Sequence, residues 1–79
     1  MESKTYAIVG GKLAKVPMEY ADKITKKEMY VARAAVLDAI IHASDLDRLT
    51  RDTASYELNQ IMGKIIRLNR QIPPVVQFV

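Results

Sequence analysis

The sequence contains no cysteine, and its single histidine is His42. Without cysteine the chain forms neither disulfides nor thiolate metal sites. One imidazole is too few for a histidine-based metal site, and the carboxylates are scattered along the chain. The glycine pair Gly10-Gly11 lacks the further glycines and the Lys-Ser/Thr ending of a phosphate-binding loop. We therefore predict no metal site and no cofactor.

Catalytic groups are equally sparse. Asp38 and His42 are four residues apart, a spacing at which a carboxylate can orient an imidazole for base catalysis. The same spacing suits a histidine that is stabilised by the dipole at the C-terminus of a helix. No third catalytic group or oxyanion site accompanies the pair, so we predict that the protein is not an enzyme.

Long apolar runs are also missing. No stretch approaches the roughly 20 apolar residues that a membrane-spanning helix needs. The first residues do not show the basic region and apolar run of a signal peptide. We expect no membrane partner and a cytoplasmic location, which for a viral gene is the cytoplasm of the host.

Acidic residues are absent from the last part of the chain. Residues 58–79 carry Lys64, Arg67 and Arg70 with no Asp or Glu, and the whole chain has a net charge of +3. Residues 1–28 carry six lysines against four acids, so two basic ends flank a mildly acidic middle. This charge distribution permits contact with nucleic acid but does not require it.

Two long amphipathic patterns fill more than half of the chain, and they predict helices over about 26–43 and 45–71. Thr25 and Glu28 have the spacing of a capping box, which places the start of the first helix near Lys26. Pro17 precedes a separate short helical turn, and Ser44 is the predicted cap of the second helix. The spacing of apolar residues gives the first helix an apolar arc of about 200°.

The second helix changes its apolar face along its length. From Ala54 onward the apolar residues form one stripe, whereas Leu46, Leu49 and Tyr56 point to nearly the opposite side. Either the helix breaks near Thr53, or its two ends pack against different partners. The second alternative is typical of an oligomer.

The ends of the chain have β character. Two β-prone runs within about residues 5–16 are separated by Gly10-Gly11, which predicts a tight hairpin. The tail 73–79 begins with Pro73-Pro74, which ends the second helix, and continues as an apolar, β-branched segment. We expect this tail to pair as a strand or to dock on a neighbour. The predicted fold is one α+β domain over 1–79, a β-hairpin, joined or not by the tail as a third strand, plus an antiparallel helical hairpin.

The size and composition predict self-association. Seventy-nine residues lie near the lower limit for a stable single core, and 49% of them are hydrophobic. With disulfides and metals excluded, oligomerisation is the remaining source of stability. The residues that we predict at the oligomer interface are Val36, Ile40, Leu58, Ile61, Ile65 and Asn69.

Arg33 is the one charged residue within the apolar arc of the first helix. An arginine in that position needs an anionic partner or a route to solvent. Two alternatives stay open, an acid of the second helix such as Glu57 or Asp52, and the carboxylate or phosphate of a ligand. Asn69, within the second stripe, either fixes the register of an interface or is exposed.

A basic face with an aromatic residue is predicted on the outer side of the second helix. It contains Tyr56, Lys64, Arg67 and Arg70 around a notch at Gly63. Guanidinium groups beside an aromatic ring suit phosphate and base contacts, although a solvated face has the same pattern.

The predicted function is that of a small homo-oligomeric interaction protein without enzymatic activity. It would bind or sequester a partner protein or a small anionic ligand, as inhibitors, adaptors and viral accessory proteins do. Arg33, Tyr56, Lys64, Arg67 and Arg70 are the predicted partner-binding residues. The alternative is a nucleic-acid-binding transcriptional regulator, in which Lys64, Arg67 and Arg70, with Lys12 and Lys15, contact phosphates.

Overall fold

The computed structural model describes residues 3–72 and 77–79. The elements in chain order are β1 (Lys4–Val9), β2 (Lys12–Pro17), α1 (Met18–Ile41), α2 (Arg48–Gln71) and β3 (Gln77–Phe78). The chain is thus an α+β structure in which a β-hairpin precedes an antiparallel pair of long helices, as predicted.

The three strands form one antiparallel sheet with β2 in the centre. Gly10 and Gly11 connect β1 to β2 with φ angles of 59° and 79°, the left-handed region that a two-residue hairpin turn requires. In β3, Phe78 lies opposite Ala14 of β2. The predicted hairpin is therefore confirmed, and the predicted third strand is observed at Gln77–Phe78. The remainder of the predicted tail, 73–76, lies outside the described residues.

The first helix begins eight residues earlier than the capping box indicated. Pro17 ends β2 and is also the N-cap of α1, so strand and helix follow each other without a loop. Thr25 lies inside the helix, and the Glu28 carboxylate accepts a hydrogen bond from the Gly10 amide at 3.1 Å instead of capping. The predicted start near Lys26 is wrong because Ile24, in the preceding turns, is buried against the sheet. This tertiary burial extends the helix across the local capping signal.

The loop between the helices is longer than predicted. α1 ends at Ile41 with His42 as C-cap, and α2 begins at Arg48. Asp47, not Ser44, caps α2, and its carboxylate accepts a hydrogen bond from the Thr50 amide at 3.0 Å. Hydrogen bonds from Thr50, first from its side chain and then from its backbone, hold the pKa of Asp47 below its ordinary value. α2 then runs without a break to Gln71, so the alternative of a break near Thr53 is wrong.

Two separate apolar clusters lie along α1, one at its beginning and one along the rest of it. The first joins the sheet to the beginning of α1 and consists of Ala14, Val16 and Ile24 with partly buried neighbours. The second joins the rest of α1 to α2 around Leu37, Ala54 and Ile61. α1 is therefore the element that contributes residues to both clusters.

The resulting shape is elongated, with extents of 53 × 22 × 15 Å. Its solvent-accessible surface is 6007 Å². Within residues 3–72 and 77–79, neither helix has a stretch that is apolar and long enough to cross a lipid bilayer.

Candidate interaction surface

The second half of α1 presents two apolar stripes. One packs against α2 and comprises Tyr30, Ala34, Leu37 and Ile41, of which Leu37 is 1% exposed. The other comprises Met29, Ala32, Val36 and Ala39, and all four side chains are exposed. At about 100° per residue, the two stripes point about 150° apart around the helix. α2 therefore covers one of them and leaves the other open; we call this second stripe the open stripe of α1.

The sheet covers only the beginning of α1. The hairpin turn contacts α1 at Glu28, whose carboxylate accepts a hydrogen bond from the Gly10 amide. Within the described residues, the sheet does not reach beyond this residue along α1. The α1 residues that pack on the sheet core are Tyr20, Ala21 and Ile24, all before this point. The open stripe begins directly after it, and Met29 and Val36 remain 67% and 50% exposed. The described chain thus supplies a layer over the first half of α1 and none over this side of the second half.

A groove between the helices contains the predicted Arg33 site. Arg33 donates from Nε and Nη2 to the two carboxylate oxygens of Glu57, at 3.3 and 3.1 Å. Of the alternatives for Arg33, an acid of the second helix is therefore the one observed. Two open hollows of about 360 Å³ each adjoin this ion pair, one reaching Leu49 and the other reaching Met29 and Lys64.

The residues of the predicted basic face lie along the exposed side of α2. Tyr56 is 68% exposed, and Arg67 and Arg70 are exposed as well. Lys64 departs from this group because its ammonium lies 5.5 Å from the centre of the Tyr30 ring on α1. A Cβ added at Gly63 would meet no atom within 4 Å, so the notch is open and no packing contact requires glycine there.

The structure places the predicted interface residues in two different environments. Ile61 is buried in the core between α1 and α2, and Leu58, Ile65 and Ile40 pack against that core. These four side chains serve the helical hairpin of the chain itself. Val36 is the apolar member of the prediction that stays open to a second molecule.

Asn69, the polar member of the prediction, is engaged within the chain. Its Oδ1 accepts a hydrogen bond from Lys27 Nζ at 2.7 Å, which links the two helices near the sheet. The sequence predicted a register-setting role at an interface between molecules, or exposure. Asn69 is exposed, which is the second of these alternatives, and its bond with Lys27 joins α1 to α2 within the chain.

His42 and Asp38 adjoin each other at the end of α1. His42 Nδ1 lies 2.8 Å from the Asp38 backbone oxygen and 3.5 Å from the Asp38 carboxylate. Both side chains are largely exposed, which is the geometry of a helix C-terminus rather than of an enclosed site. Among the described residues, no three carboxylate or imidazole side chains lie together as metal ligands would.

A scan against models of known protein families, and searches among curated proteins and among solved structures, found no match. The chemistry of the open stripe, the groove and the basic face is thus the basis on which a function can be assigned.

Proposed function

We propose that this chain is a non-enzymatic interaction protein that works as a homo-oligomer. The observation that carries the proposal is its surface area. A compact monomer of this mass exposes about 4,800 Å², whereas the chain exposes 6007 Å². The surplus of roughly 1,200 Å² exceeds the approximately 800 Å² that each partner buries in an interface of standard size.

The character of this surface supports association. Met29, Val36 and Leu49 are at least half exposed, and Leu49 reaches 74%. On the sheet, Tyr6 and Ile8 are 60% and 54% exposed. Single exposed apolar residues are ordinary, but several on neighbouring elements are typical of a surface that a protein partner covers.

A small anionic ligand is the less favoured partner at the groove. Two of the five N–H groups of Arg33 already donate to the two oxygens of Glu57, so a bound carboxylate or phosphate would either displace Glu57 or share the guanidinium with it. Displacement would leave Glu57 without its cation beside an added negative charge. A protein surface that covers the apolar residues needs no such exchange.

Sedimentation equilibrium between 1 and 100 µM tests the proposal. We expect a mass that is a multiple of the 8.9 kDa chain and falls on dilution. A folded chain that sediments as a monomer throughout this range would contradict it.

Two charge substitutions form a matched pair for this experiment. Val36 and Ile66 are both 50% exposed, but Val36 lies in the open stripe of α1 and Ile66 lies on α2. We expect Val36→Glu to weaken association at least tenfold, because a carboxylate would be desolvated at the contact. Ile66→Glu introduces the same charge and should leave the association constant within about twofold.

Binding to nucleic acid is the second candidate, and the charges of α2 favour it. Lys64, Arg67 and Arg70 form no ion pair in the part of the chain that the structure describes. No acid follows Glu57 in the sequence, so these cations are available to phosphates, together with Lys12 and Lys15 of β2.

Fluorescence anisotropy with labelled DNA and RNA oligonucleotides tests this candidate. Binding that weakens as salt increases, and that falls at least fivefold in a doubly substituted Arg67→Gln, Arg70→Gln variant, supports it. Replacement of Arg48, whose partner is Asp52, is the matched control on the same helix. Absence of binding at low salt would reject the candidate.

A further inference from the structure

We infer that the open stripe of α1 is the contact between two copies of this chain, and that the two α1 helices pack antiparallel along it. The inference rests on the proposed self-association and adds the surface and the direction of packing. We assign a second copy as the occupant because the surplus surface of the whole chain, roughly 1,200 Å², exceeds the approximately 800 Å² that each partner buries in an interface of standard size.

The spacing of the open stripe is that of a coiled coil. Met29, Ala32, Val36 and Ala39 are separated by three, four and three residues. This alternation keeps the side chains on one line along the helix, where they can interdigitate with those of a second helix. The stripe toward α2 uses the same repeat, so α1 has two packing lines and the chain occupies one of them.

Side-chain size favours the antiparallel direction. Larger residues, Met29 and Val36, alternate with Ala32 and Ala39. In an antiparallel pair, Met29 lies opposite Ala39 of the second copy and Ala32 lies opposite Val36, so each layer combines a large with a small side chain. A parallel pair would instead stack Met29 on Met29 and Ala32 on Ala32. The antiparallel layers are therefore similar in volume, whereas the parallel layers would alternate between overpacked and underpacked.

Charge and shape favour the same direction. Extended toward the N-terminus, the repeat reaches the exposed Asp22, and a parallel pair would bring both Asp22 carboxylates together. In the antiparallel pair, Glu28 of one copy lies opposite Ile40 of the other. Because α1 ends at Ile41, the helix of the second copy stops beside Glu28, where the sheet of the first copy begins. Arg33 lies beside the stripe, where its own Glu57 neutralises it in each copy.

Disulfide trapping tests the direction, and the absence of native cysteine removes background reactions. We would mix the Ala32→Cys and Val36→Cys variants, allow subunits to exchange, and oxidise mildly. We expect a covalent dimer in the mixture at several times the yield of either variant alone. Positions 32 and 36 of different copies are opposite each other. Two copies of position 36 are offset by about 6 Å along the axes in addition to the lateral separation of the two helices, which together exceed the reach of a disulfide.

The controls separate this inference from the proposed function. The Ile66→Cys variant, equally exposed, should not cross-link with either partner. Stronger cross-linking of each single variant with itself would establish a parallel pair and overturn the inference. A mass showing a dimer without cross-linking in the mixture would overturn it and leave self-association standing. A monomeric wild type would refute both.

Folding of the cysteine variants is checked under reducing conditions by far-ultraviolet circular dichroism. Both positions are exposed, so the folded spectra should match that of the wild type. The association constant of Val36→Glu gives a second readout without sulfur chemistry. A value within twofold of the wild type would also overturn the inference.

Discussion

At the scale of single residues, the three glycines differ in whether their backbone conformation requires a residue without a side chain. Gly10 and Gly11 adopt positive φ angles in the hairpin turn, where a side chain would strain the backbone. Gly63 lies within α2, and a Cβ there would meet nothing within 4 Å. Glycine in a helix interior lowers stability relative to alanine because the unfolded chain has more freedom.

Gly63→Ala should therefore raise the free energy of unfolding by about 0.5–1 kcal/mol. Gly10→Ala, the same chemical change at a positive φ, should lower it. Urea denaturation monitored by circular dichroism measures both. If Gly63→Ala stabilises the fold yet weakens oligonucleotide binding, the notch contributes to the basic face; unchanged or reduced stability would contradict the conformational argument.

The Arg33–Glu57 pair should contribute modestly to stability. The side chains are 50% and 42% exposed, so solvent screens their attraction. A double-mutant cycle with Arg33→Ala and Glu57→Ala should give a coupling energy of about 0.5 kcal/mol that declines in 1 M salt. A coupling energy several times larger would indicate that the pair is covered by a second molecule.

At the scale of elements, the cap of α2 makes part of its stability dependent on pH. The hydrogen bonds from Thr50 lower the pKa of Asp47 in the folded chain, so the ionised carboxylate stabilises the folded state relative to the unfolded state. This stabilisation is complete above the unfolded pKa and is lost as the pH falls through the folded value. Asp47→Ala should thus lower the denaturation midpoint at pH 7 more than at pH 2.

Asp47→Ser is the matched variant for this measurement, because serine caps a helix without titrating. Its midpoint should stay above that of Asp47→Ala at pH 7, and its difference from Asp47→Ala should not change between pH 7 and pH 2. Equal losses for Asp47→Ala at both pH values would show that the carboxylate charge is not involved.

The elements also show what sequence patterns could and could not specify. The hairpin was predictable because the two glycines between β-prone runs act locally. The Arg33–Glu57 pair followed from the apolar arc around Arg33. The start of α1 was not predictable from Thr25 and Glu28, because the burial of Ile24 against the sheet outweighs a local cap.

The open stripe was missed for a related reason. Three of its residues, Met29, Ala32 and Val36, belong to the predicted apolar arc of about 200°, which the sequence could not divide into stripes with different partners. The division depends on where the sheet ends, near Glu28, and that position is set by contacts between distant parts of the chain. The hydrogen bond from Lys27 to Asn69 spans 42 residues and has no local signal either.

At the scale of the whole molecule, the two apolar clusters share α1 and should unfold together. Leu37→Ala in one cluster and Ile24→Ala in the other each remove a nearly fully buried side chain. Each should cost about 2–4 kcal/mol. Circular dichroism of the helices and tyrosine fluorescence should give one coincident transition for both variants.

Two separated transitions in the Ile24→Ala variant would contradict this cooperativity. They would show that the sheet can detach while the helical hairpin persists. Val31→Ala, at a position that is 42% exposed on the same helix, should cost far less and provides the comparison.

α1 is one continuous helix of 24 residues, so a change in its length would rotate the residues after that point relative to those before it. One residue inserted after Glu28 would turn everything that follows by about 100° relative to the sheet. The stripe that packs on α2 and the Lys27–Asn69 bond could not then both be kept. Natural or engineered variants of this chain should therefore change length at the loop before Arg48 and leave the spacing within α1 untouched.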